Sequence, residues 1–129
     1  MTIAYLCLLV AALLPYVWIG IAKAGAPRYD NRDPRAWLEK QESPRVRRAT
    51  AAQHNAFEAF APFAAAVLMA QLAGVDPIRI TGLAVAFIAF RVLHGLCYVG
   101  NKHAFRSLVW FAALACVLAL MVQAALRIA

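Results

Sequence analysis

Four long apolar stretches separated by polar joins set the pattern of this 129-residue chain, at about 3–22, 49–74, 78–101 and 106–126. Each is long enough to cross roughly 30 Å of hydrocarbon as a helix. The first, IAYLCLLVAALLPYVWIGIA, has no ionisable side chain other than tyrosine. It lacks a basic segment before its apolar run and a good small-residue processing site, so a retained span is expected rather than a cleaved signal peptide. The second lies in a helix that begins near Ser43 and ends near Gly74. Pro15 and Pro62 fall inside helical patterns, where each removes a backbone bond and predicts a kink. The 23–48 join is polar and holds Pro27, Pro34 and Pro44, so irregular structure is expected there alone. The pattern predicts an all-α integral membrane protein, a four-transmembrane-helix bundle forming one domain over 1–129.

Composition agrees and adds an orientation. Hydrophobic residues make up 64%, charged residues 15% and the mean hydropathy is +0.68, outside the soluble-domain range. Eight of the thirteen Lys and Arg residues lie in 23–48, and Lys102 and Arg106 flank the third join. Basic residues near span ends mark the cytoplasmic side, so both loops are expected inside and both termini outside, with the Asp76 to Arg79 turn. The brevity of the chain points to a bacterial inner membrane. The +7 net charge is thus a topology signal, and no nucleic-acid partner is expected because the charge sits at membrane edges without a binding motif. Cys7, Cys97 and Cys116 fall in three spans with no ligand spacing and read as small packing residues.

The polar residues inside the spans carry the candidate chemistry. His54, Asn55 and Glu58 interrupt the second span, and an intramembrane carboxylate is costly unless partnered. Glu58 follows the basic Arg45 to Arg48 segment by ten residues, about 15 Å along a helix; Arg91 precedes Asn101 by ten residues as well. The two are therefore expected at matching depth and paired, within or between subunits. Arg91, His94, Tyr98 and Asn101 recur at i, i+3, i+7 and i+10, one helical stripe. Arg106, Ser107 and Trp110 open the fourth span at the same leaflet. Three helices thus converge polar groups on a cytoplasm-facing cavity suited to an anion.

Blander readings stand beside this one. Glu58 and Arg91 would also serve as a purely structural bridge, Arg47 and Arg48 as headgroup anchors, His94 as a packing histidine, and Tyr98 and Trp110 as interfacial aromatics. A small transporter using Glu58 as its coupling carboxylate is a further alternative, although it predicts antiparallel dimers and little loop-charge asymmetry. No metal site is expected, because the His54-x-x-x-Glu58 spacing lacks a second histidine.

The segments RVRRATAAQHNAFEAFAPF, FRVLHGLCYVGN and FRSLVW resemble, in order and spacing, the membrane-associated proteins in eicosanoid and glutathione metabolism, the MAPEG family, in a bacterial-type form. The resemblance covers roughly residues 44–112. It implies a homotrimer binding glutathione as cosubstrate in clefts between adjacent protomers, with no metal. Asn55 and Glu58 match positions that hold the tripeptide backbone; Arg91, His94 and Tyr98 match positions lining the same cleft. Arg106 matches the residue that faces the sulfur, with Ser107 beside it. Ala51 stands where the family often has an arginine and Trp110 where it often has a tyrosine. Arg47 or Arg48, and His54, are the replacements to consider for the missing charge, and Lys23 is a first-loop candidate to approach the thiol. The implied activity is glutathione transfer to lipophilic electrophiles, or lipid-peroxide reduction, within the lipid bilayer; a member without catalysis is the alternative.

Overall fold

The computed structural model describes residues 1–129 and contains only helices: α1 (Thr2–Ala24), α2 (Pro34–Glu39), α3 (Pro44–Leu72), α4 (Pro77–Val99) and α5 (His103–Ile128). All but α2 are long and apolar enough to cross a membrane. With 23 to 29 residues each, they run roughly 35 to 44 Å at 1.5 Å per residue.

Local chemistry explains where the helices start. Three begin with proline at the first position, where its missing N–H costs nothing, after Asp33, Ser43 and Asp76. The Asp33 carboxylate accepts from the Ala36 N–H at 3.2 Å and that of Asp76 from the Ile78 N–H at 2.8 Å. Pro15 and Pro62 both sit inside helices that continue past them, α1 and α3.

Two helix ends use the same reversal. Gly74 (φ +73°) and Asn101 (φ +59°) adopt the left-handed conformation after α3 and α4. The Val75 N–H then donates to the Ala70 carbonyl at 3.0 Å, and the Lys102 N–H to the Cys97 carbonyl at 2.8 Å, the six-to-one bond of a Schellman end. Asn101 therefore lies outside α4, and the expected polar stripe stops at Tyr98. Periodicity carried the helix two residues too far because asparagine's tolerance of positive φ leaves no mark in a hydropathy pattern.

The 23–48 segment is more ordered than expected. Trp37 on α2 donates its indole N–H to the Arg28 carbonyl at 3.0 Å and meets Tyr29 edge-on at 5.0 Å. The Lys23 ammonium lies 4.3 Å from the centre of the Tyr29 ring. Arg32 and Asp30 form an exposed ion pair at 2.8 Å, and hydrogen bonds from the Arg32 side chain and backbone hold the Asp30 carboxyl below its ordinary value.

Helix α3 occupies the centre: it packs on α1, α4 and α5, while α1 and α5 do not touch. Small residues allow the close approach, as is usual between helices in lipid. Ala66 and Ala70 of α3 share one core with Ala4 and Ala11 of α1, Ala84 of α4, and Ala113 and Ala124 of α5. Phe63 and Phe87 stack across it with ring centres 3.9 Å apart. Nearer the basic loop, buried Trp18 of α1 lies directly against the Gly95 backbone of α4, where any added Cβ would overlap the indole. Leu9, Leu13, Leu108, Phe111 and Leu118 remain exposed on the outside, as suits side chains solvated by lipid.

Candidate functional site

Arg91 projects from the middle of α4 toward α3 and is only 4% exposed. Its Nη2 donates to both oxygens that Asn55 offers, the backbone carbonyl at 3.0 Å and Oδ1 at 2.9 Å. Within one chain Glu58 and Arg91 form no ion pair: the only one is Arg32 with Asp30, and Glu58 is exposed. Depth along two helices was readable from spacing, but rotation about their axes was not. Asn55 turns its oxygens to the guanidinium, satisfying two donors without burying a carboxylate. Glu58 still borders the same cavity as Arg91.

One turn toward the basic loop, His94 is 2% exposed and meets Tyr98 edge-on at 5.5 Å. Its Nδ1 is buried without a hydrogen-bond partner. The short α4 to α5 reversal brings the Arg106 guanidinium over the Tyr98 ring, 4.4 Å from its centre, a cation–π arrangement that fixes the charge. Ser107 donates its hydroxyl to the His103 carbonyl at 3.2 Å.

These side chains line two adjoining cavities. The first, about 220 Å³, is walled by Asn55, His94, Tyr98, Arg106, Ser107, Trp110 and Phe111. The second, about 170 Å³, has Asn55, Glu58 and Arg91 at one side and an apolar remainder of Ala59, Pro62, Phe87, Ala113, Leu114 and Val117, with Trp110 shared. Asn55 and Trp110 thus form a common wall. Sequence reasoning missed the apolar half altogether. A signal was present: Trp110, Ala113, Leu114 and Val117 recur at i, i+3, i+4 and i+7, one face of α5.

Not every candidate meets here within one chain. His54 is exposed on another flank of α3, in a groove with Lys23, Arg35 and Glu39. Arg48 donates from Nε to the Val99 carbonyl at 3.2 Å, closing the end of α4.

A sequence-family model, that of the MAPEG family, matches residues 3–126, nearly the whole chain and all four spanning helices. The chain belongs to the MAPEG family. Searches of curated proteins and of solved structures return no match. The family includes glutathione-dependent transferases and peroxidases, and the donor set of this MAPEG protein suits such a tripeptide. Arg106 and the Tyr98 hydroxyl offer groups for carboxylates and amides, and Glu58 offers an anion for an ammonium. The cavity of about 220 Å³ is smaller than the roughly 300–1,000 Å³ of ordinary ligand sites. One chain alone therefore encloses less space than such a site ordinarily has.

Proposed function

We propose that this MAPEG protein is a glutathione-dependent transferase or peroxidase acting on lipophilic substrates drawn from the bilayer. The observation that carries the reading is the convergence of Asn55, His94, Tyr98 and Arg106 from α3, α4 and α5 on one cavity at the basic-loop end, in a chain of a glutathione-associated family. Charge asymmetry between the loops supports placing that end in the cytoplasm, where the tripeptide is available, with both termini outside. The partial enclosure supports a homotrimer in which a neighbouring copy completes each site.

Glutathione, when bound, supplies a thiol whose anion is the nucleophile. Arg106 holds that anion: a guanidinium keeps its proton at any physiological pH and cannot be consumed by the exchange. A free thiol titrates near 8.5, and lowering that value by about 1.5 takes roughly 2 kcal/mol, within the range of charge-assisted hydrogen bonds. Tyr98 lies under the Arg106 guanidinium and restricts its orientation. Asn55, Glu58 and His94 orient the peptide, with Glu58 facing the free ammonium.

The test is Arg106→Ala in the full chain. Ultraviolet difference absorbance of added glutathione should show a thiolate band in the parent protein and none in the variant. Calorimetric glutathione affinity should persist, and kcat/KM should fall roughly 100- to 1,000-fold, the usual cost of removing one donor to a reacting anion. A thiolate band of equal height in the variant refutes the role.

A further inference from the structure

The end of the bundle away from the basic loop carries a charged surface that has no part in the site described above. Of the thirteen Lys and Arg residues, eight lie in 23–48, Lys102 and Arg106 flank the α4 to α5 reversal, and Arg91 sits in mid-span. The remaining two are Arg79, in the first turn of α4, and Arg127, in the last turn of α5. Both line one open groove between the α3 to α4 turn and the end of α5. Basic residues are sparse at span ends facing away from the cytoplasm, so two that meet there from separate helices call for a reason. Neither pairs with a carboxylate, since Arg32 with Asp30 is the sole ion pair of the chain. Asp76 also borders the groove, but its carboxylate caps α4 by accepting from the Ile78 N–H at 2.8 Å. Around this excess of positive charge stand Leu72, Ile78, Leu126 and Ile128, whose exposures of 74% to 88% exceed those of every other large apolar side chain.

We infer that this groove holds the headgroup of an anionic phospholipid in the leaflet away from the basic loop, with Arg79 and Arg127 sharing its phosphate and the four apolar side chains lying against its acyl chains. The planar fork of a guanidinium matches two phosphate oxygens, and basic pockets between spanning helices take anionic headgroups. Phosphatidylglycerol and phosphatidylcholine both bring a phosphate, but the trimethylammonium of the second meets two cations in the groove. The site therefore selects the anionic lipid. Two arginines acting only as separate interfacial anchors would each contribute independently, whereas a shared phosphate makes each depend on the other.

The test uses the full chain in nanodiscs of equal phosphatidylglycerol and phosphatidylcholine, with the photoreactive p-benzoylphenylalanine in place of Leu126, which lines the groove. The captured lipid is identified by mass, and the same label in place of Leu118, exposed in the middle of α5, gives the bulk ratio. Capture at position 126 should favour phosphatidylglycerol at least about tenfold over that ratio, given about fivefold for each basic residue near an anionic surface. Arg79→Gln and Arg127→Gln should each remove most of the preference, and the double variant should lose little more. A millimolar excess of soluble glycerol 3-phosphate should leave the capture unchanged. Capture at the bulk ratio overturns the inference, and the labelled chain without further substitution decides this even if neither variant folds. Losses that multiply in the double variant overturn the shared site. Displacement of the lipid by glycerol 3-phosphate overturns the lipid assignment, as does capture of a second chain at position 126 in place of lipid.

Discussion

A guanidinium at membrane depth is tolerable only when its N–H groups find acceptors, and Arg91 draws two of them from the single residue Asn55. Asn55→Leu should therefore cost about 1.5–3 kcal/mol, the range for hydrogen bonds to charged groups, measured by unfolding in mixed micelles. In an Arg91→Leu background the same change should cost at least about 1 kcal/mol less, because the two side chains act as a unit. Additive losses would show that they do not. Gly95 poses the opposite problem, since the Trp18 indole already fills the place of a side chain. Gly95→Ala should destabilise by about 1–3 kcal/mol through overpacking, and Trp18→Phe in that background should recover part of it. Neither contact shows in the sequence: Gly95 reads as one more small helix residue, and Asn55 as a partner for ligand rather than for Arg91.

At the scale of elements, helix starts are local and helix faces are not. The Asp-Pro and Ser-Pro pairs before α2, α3 and α4 are cap signals legible without coordinates. The reversals at Gly74 and Asn101 are equally local, and their residue types set the cost of change. Gly74→Val should cost about 1–2 kcal/mol, the penalty of left-handed backbone for a residue with a Cβ, whereas Asn101→Gly should leave the unfolding midpoint unchanged. Equal effects would show that the α3 end does not depend on its backbone angle. Helix α2 escaped the sequence reading because six residues with one aromatic anchor give no periodic signal, and its position depends on Trp37 reaching back to Arg28. The apolar face of α5 was legible as spacing but not as a cavity wall, since spacing does not say which face meets a partner helix and which meets lipid.

Across the whole molecule, α3 is the hub and α1 and α5 never meet, so the bundle is open on the side where a neighbour or lipid must sit. The proposed homotrimer places a second copy there. Native mass spectrometry from lipid nanodiscs should give three chains per particle, and crosslinks between cysteines placed at His54 and Trp110 should join different chains. A monomer, or crosslinks within one chain only, would count against the shared site. The grouping of His54 with Lys23 and Arg35, away from Arg106, belongs to this scale because one helix can present polar residues to two different neighbours.

The sequence alone determined the solvent, the number and approximate limits of the spanning helices, and the family, because these depend on run length, residue type and order along the chain. The tertiary structure decided who meets whom within the chain: Arg91 with Asn55 rather than with Glu58, Arg106 over Tyr98, Trp18 against Gly95, and an apolar cavity behind Trp110. Those outcomes turn on rotation about each helix axis and on how closely neighbouring helices approach. Both are set by side-chain packing summed over the bundle, which no single segment of the chain encodes.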